Sequence, residues 1–313
     1  MSVRLESNAP SQEPKRQRFF ARLIRERKMA LIGIVMMGVL VFLGTFGSLI
    51  ARHPADESSG GLSQPPSVEH WLGTDDSGKD MVALIFKGIR TSLIVGVAGG
   101  LVSILIGGTL GILAGYTGGK TEGAIMRTAD FFLVVPEVVL ALVLISIFGS
   151  GTAVIILVIG LLLWAGNARV LRSQTKSIRE RVYVKRARAI GATNTRILLR
   201  HIVPQTAPLL VANGVLAIAV AVFLETAISF LGLGDPATVS LGKLIENAFD
   251  ASAAIRGLWW MLIPPGVVVT LMILSCTLFG QALEDQLNPR LKTTFLSTRS
   301  FRVRRSLGEK GSS

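Results

Sequence analysis

The sequence predicts an all-α membrane protein with six transmembrane helices and both termini on the cytoplasmic side. Half of its 313 residues are apolar. They gather in runs of about twenty or more, long enough to cross ~30 Å of hydrocarbon at ~1.5 Å per residue. The basic residues lie between those runs. Of the 33 Lys and Arg, 27 fall in segments 1–28, 117–128, 166–204 and 284–313, against 6 in segments 52–90 and 234–257. The positive-inside rule assigns the first set to the cytoplasm and the second to the outside.

That distribution also decides what the charge means. A net charge of +13 on a soluble protein would suggest a nucleic-acid partner. Here the charge is topological, and no nucleic acid is expected. The one cysteine, Cys276, sits in an apolar run, which excludes disulfides and cysteine metal sites. His53, His70 and His201 are scattered without metal-ligand spacing, so structural roles are expected and no metal.

In chain order, residues 1–28 form a cytoplasmic segment. Its stripe of Phe19, Phe20, Leu23 and Ile24 among arginines suits a helix lying in the lipid interface. Residues 29–51 are the first span, too long for a cleaved signal region and lacking a small-residue cleavage site. Residues 52–90 are an extracytoplasmic loop. Asp75, Asp76 and Asp80 lack the alternation of a calcium loop, so a turn with helix-capping carboxylates is expected. Met81, Leu84, Ile85 and Ile89 then mark an amphipathic helix at the outer interface. The membrane-spanning core, 91–283, follows.

Span 2 covers 91–116, with Gly96 and Gly100, and Gly107, Gly111 and Gly115, each four apart. Small residues at that spacing let helices approach closely. Gly118-Gly119-Lys120-Thr121 imitates a phosphate loop, but Ala114 stands where its first glycine is required, and the segment follows a span rather than a strand. No nucleotide site is expected, and the chain is read as no enzyme. Span 3, 126–148, is interrupted at Pro136-Glu137, where proline should kink it. Span 4 covers 152–171, with Arg169 snorkelling to the cytoplasmic interface. Span 5 is 207–233, an outer loop covers 234–257, and span 6 is 258–283, its outer end anchored by Trp259 and Trp260. A basic cytoplasmic tail, 284–313, closes the chain.

Between spans 4 and 5 lies the loop 172–204. From Gly166 to Pro204 there are ten Lys and Arg and one carboxylate, Glu180. Tyr183, Ala187 and Ile190 share one face of a short helix. Gly191 stops it, Thr193 caps a second helix, and Pro204 is read as ending that one. A compact two-helix protrusion of this kind has a shape suited to docking.

Here the chain resembles a known family. Gly191 followed by Pro204, within Ala187-Arg188-Ala189-Ile190-Gly191 and Arg200-His201-Ile202-Val203-Pro204, is similar to the "EAA" loop of ABC-importer permeases. These runs resemble the dipeptide/oligopeptide subfamily, specifically its C-type membrane subunit. His70-Trp71-Leu72-Gly73-Thr74-Asp75 through Gly78-Lys79-Asp80 resembles that subfamily's outer motif. Glu225 through Ser229-Phe230-Leu231-Gly232-Leu233-Gly234 resembles its "ExxLSFLGLG" signature, and Leu287-Asn288-Pro289-Arg290 its "LDPR" close. Lys185-Arg186-Ala187 stands where the family has Glu-Ala-Ala, and the Pro-rich run after its LGLG is reduced to Ser240 and Gly242.

The resemblance implies a type I ABC-importer permease fold in the cell membrane, carrying di- or oligopeptides or another solute such as a nickel chelate, glutathione or a sugar. It implies a second homologous permease, one or two ATPases that bind ATP and Mg, and an extracytoplasmic binding protein. Tyr183, Lys185, Arg186, Ala187, Gly191, His201 and Pro204 would carry the coupling to the ATPase. Asp130, Glu137 and Glu225, acids in or beside spans, face protein or water to avoid the cost of a mid-bilayer charge. Two readings stay open for Glu225: a hydrogen bond between helices, or a lining or gating group of the pathway.

Overall fold

A computed structural model describes residues 14–287. The interfacial stripe at Phe19–Ile24 and the tail beyond Leu287, with its Asn288-Pro289-Arg290, fall outside the residues whose side chains are described. The described chain is helical: α1 (Pro14–Ile50), α2 (Met81–Thr117), α3 (Gly119–Val134), α4 (Glu137–Phe148) and α5 (Thr152–Arg179), then α6 (Val182–Ala189), α7 (Asn194–Ile197), α8 (Val203–Ile228), α9 (Leu241–Asp250), α10 (Ala253–Arg256) and α11 (Trp259–Leu287). Five helices are long and apolar enough to cross a membrane, or six if the bent pair α3–α4 is counted as one broken span.

Helix α2 is the centre of the bundle. Its 37 residues extend about 55 Å at ~1.5 Å per residue, well beyond a ~30 Å core. The expected interfacial helix at 81–89 and span at 91–116 are therefore one rod. Met81, Leu84, Ile85 and Ile89 do not skim the interface; they are buried with Leu40 of α1, Leu241 and Leu244 of α9 and Met261 of α11. The start of the rod is fixed by Asp80, whose Oδ1 accepts from the backbone N–H of Val82 at 2.9 Å and of Ala83 at 3.1 Å.

The glycine spacing sorts into two faces. A Cβ at Gly107, Gly111 or Gly115 would lie 2.4, 2.5 and 2.6 Å from the carbonyl oxygens of Trp164, Ala168 and Arg172 on α5. A Cβ at Gly96 or Gly100 would strike Val222 and Ile218 on α8. Helices α2 and α5 thus run parallel with backbones nearly touching, which only glycine permits.

Three further boundaries differ from the sequence reading. At Pro136 the chain turns by 97°, far more than a kink, so the interrupted segment consists of two helices, α3 and α4. Helix α5 continues past 171 to Arg179. Pro204 does not end a helix. It occupies the first turn of α8, directly after the π-helical turn at Leu198–Ile202, and the helical path continues to a kink at Gly232, whose φ is 83°. A proline's missing N–H is harmless in a first turn, so proline marks a start as readily as a stop.

Trp260 also departs from expectation. It is buried, and its Nε1–H donates to the carbonyl of Thr74 at 3.2 Å, tying α11 to the 52–80 loop; Trp259 alone stays exposed.

Candidate functional site

At the end of the bundle where α2 stops, residues 180–202 form a protrusion. Helix α6 is stopped by Gly191, whose φ of 85° is left-handed and open to glycine without strain. Thr193 follows, its hydroxyl accepting from the N–H of Arg196. Below these turns Val184, Ile197 and Ile202 are buried with Ile178 and Tyr116. Each such side chain contributes about 1.5–3 kcal/mol over its exposed state, enough to seat the protrusion firmly. Polar ties complete it. Tyr116 Oη donates to Asn194 Oδ1 at 2.7 Å, Arg179 Nη1 donates to the Tyr116 carbonyl at 2.9 Å, and Tyr183 Oη donates to Gln205 Oε1 at 2.7 Å.

The upper surface is quite different. Val182, Ile190 and Leu199 are exposed, Ile190 at 86 %. Val184, not Ile190, carries the buried face of α6. Lys185 and Arg186 point outward and Ala187 is half-buried. Lys185 pairs with Glu180 at 3.0 Å, and the Lys185 ammonium beside Glu180 holds that carboxyl below the usual range. His201 lies half-buried in the π-helical turn with its ring 6.1 Å from that of Tyr183, and Pro204 is exposed. The structure therefore gathers Tyr183, His201 and Gln205 at the foot of the protrusion and leaves Lys185, Arg186 and Gly191 on its crest. Tyr116, Asn194 and Gln205 were not singled out by the sequence. Tyr116 is one of only two tyrosines in the chain, which was the available signal.

The acids assigned to spans have three different settings. Asp130 is exposed and pairs with Arg169 at 2.7 Å, so Arg169 reaches α3 rather than snorkelling free. Glu137 is half-buried in the first turn of α4, directly after the bend. Glu225 is 2 % exposed. Its Oε2 accepts from Ser92 Oγ on α2 and its Oε1 from Ser229 Oγ, both at 2.8 Å. Ser92 Oγ in turn accepts from the N–H of Leu241 at 3.3 Å. One carboxylate thus joins α2, α8 and the start of α9.

The opposite end of the bundle carries the loops 52–80 and 234–258. Asp75 accepts from the N–H groups of Ser77 and Lys79 at 2.9 and 2.7 Å, and burial still pushes its carboxyl above the usual range. Asp235 accepts from the N–H of Thr152 at 2.9 Å, clasping the loop after α8 to the N-terminus of α5. Its hydrogen bond from the Thr152 hydroxyl, with that from Ala237, holds the Asp235 carboxyl below the usual range.

The helical bundle thus carries a two-helix protrusion at one end and folded loops at the other. Residues 107–293 match the family described as "Binding-protein-dependent transport system inner membrane component". The chain belongs to that family, as a multi-pass membrane permease. It is 31 % identical over 272 residues to the oligopeptide transport system permease protein OppC of Bacillus subtilis (strain 168), covering 86 % of this chain and 88 % of that one. The dipeptide transport system permease protein DppC of the same organism is 30 % identical, over 87 % of this chain and 85 % of its own. OppC of Mycobacterium tuberculosis (strain ATCC 25618 / H37Rv) is 32 % identical, over 86 % and 92 %.

Proposed function

We propose that this permease is one of two homologous membrane subunits that together form the pathway of an ATP-driven peptide importer. The similar proteins are named as oligopeptide and dipeptide permeases, which supports a peptide as cargo. An ATPase partner, which binds ATP and Mg, docks on α6. The second permease receives its own ATPase contact, and an extracytoplasmic binding protein delivers cargo to the loops 52–80 and 234–258. Both termini and the protrusion face the cytoplasm in this reading, which the distribution of Lys and Arg supports.

The observation that carries this reading is the two-sidedness of the protrusion. Its base is locked by Val184, Ile197 and Ile202, while Val182, Ile190 and Leu199 stand exposed beside Lys185 and Arg186. A rigid base with an apolar crest is what a coupling element needs. It can be pushed without deforming, and it offers apolar area to a partner groove. Nucleotide-driven closure of the ATPases then biases the bundle between inward-open and outward-open arrangements.

The test is purification of the chain from its own membrane in mild detergent, with mass spectrometry of what accompanies it, followed by uptake in proteoliposomes. Recovery of a second permease and P-loop ATPases, with ATP-dependent uptake of a labelled di- or oligopeptide, is the expected result. Recovery of the chain alone, or uptake that survives ATP depletion and follows an ion gradient, overturns it.

A further inference from the structure

Just after α1 ends, His53 meets the adjacent pair Glu69-His70 from the far side of the 52–80 loop. One donor atom each of His53, Glu69 and His70 all lie within 4.8 Å of one another, and the two imidazole rings are 4.7 Å apart. Two imidazoles and a carboxylate are the ligand set of borderline divalent metals, zinc foremost. Ligands ~2.0–2.1 Å from one zinc ion sit about 3.3–3.4 Å apart in a tetrahedron. Glu69 is exposed, so its side chain is free to swing inward and close the remaining gap.

Two independent features point to a ligand here. The Nε2 of His53 is shielded from solvent yet has no hydrogen-bond partner, an arrangement that is costly unless something fills it. Furthermore, Nδ1 of the buried His70 is held by Asp80 Oδ2 at 2.8 Å. A carboxylate accepting from one ring nitrogen fixes the tautomer and leaves the lone pair on the other, which is the usual support for a metal-bound imidazole. Asp80 is itself fixed as the cap of α2. Arg52, next to His53 in the chain, is occupied elsewhere: Nη1 donates to the Val68 carbonyl at 2.7 Å, and the guanidinium lies over the Trp71 ring.

The geometry points to a divalent transition-metal site, zinc by chemistry, built from His53, Glu69 and His70, that staples the end of α1 to the loop capping α2. It stands apart from the transport reading, since a metal at this position constrains two helices whatever crosses the bundle.

The test uses the full-length chain in detergent, purified without a polyhistidine tag and titrated with Zn²⁺ or Co²⁺ alone. One equivalent of Zn²⁺ should bind at micromolar concentration. The Co²⁺ form should show visible ligand-field bands that zinc abolishes. His53→Gln and Glu69→Gln leave the His70–Asp80 pair in place and should each weaken binding about 10-fold or more. His201→Gln, at the far end of the bundle, should bind as wild type. Absence of saturable one-to-one binding, wild-type affinity in both His53→Gln and Glu69→Gln, or loss of binding in His201→Gln overturns the site.

Discussion

Ser92 on α2 and Glu225 on α8 lie 133 residues apart and meet through a buried 2.8 Å hydrogen bond. The same Ser92 oxygen receives the Leu241 N–H, so three helices converge on one hydroxyl. Removing one member strands the others, and a buried group left unpaired costs about 1–3 kcal/mol. Ser92→Ala and Glu225→Leu should each lower the thermal midpoint in detergent, and the double variant should lose less than the sum. Strict additivity would show that the two residues do not act together.

Gly111 faces the Ala168 carbonyl with no room for a Cβ, whereas Gly123 on α3 meets nothing within 4 Å. Gly111→Leu should force α2 and α5 apart and destabilise by about 1–3 kcal/mol or more. Gly123→Ala should be neutral or stabilising by up to ~1 kcal/mol, because alanine favours the helix. Thermal unfolding of the purified variants separates the two; equal effects would mean that the close approach does not govern packing.

The crest of the protrusion predicts a functional rather than a folding phenotype. Gly191 has φ of 85°, and proline fixes φ near −65°. Gly191→Pro should abolish uptake while the protein remains in the membrane at normal abundance. Normal uptake by the well-expressed variant would remove α6 from the coupling mechanism.

Asp235 gives a pH dependence with a definite sign. Its carboxyl is held below the usual range, so its stabilising contribution is present above the ordinary aspartate value of ~3.9. That contribution is lost as pH falls through the lowered folded value. Asp235→Asn should therefore destabilise at neutral pH and narrow its deficit below about pH 4. Thermal midpoints measured from pH 7 to 3 would check this, and a deficit independent of pH would assign the loss to packing alone.

Local chemistry was legible in the sequence and long-range partnership was not. Gly191, Thr193 and Asp80 act through backbone conformation and N–H groups within three residues, so composition alone locates them. Pro204 was misread because a proline after a basic apolar stretch suits a helix's first turn as well as its end. Met81 to Ile89 looked like half of an interfacial helix, since their partners on α1, α9 and α11 supply an apolar surface that no local pattern records. Trp260 was assigned to lipid for the same reason, its hydrogen-bond acceptor being 186 residues away. His53, Glu69 and His70 have no ligand spacing along the chain; the fold-back of the 52–80 loop supplies it.

The glycine contacts along α2 have a mechanical consequence. Three of its residues, spaced by four, each face a carbonyl of α5, also spaced by four. Sliding either rod by one residue would drive a side chain into backbone, and the next equivalent register is a full turn away, ~5.4 Å. The two therefore mesh like a gear rack and behave as one beam. A push at the Arg179 end of α5 reaches the Thr152 end without slack, and the give needed for any opening must come from joints elsewhere, such as the 97° bend at Pro136.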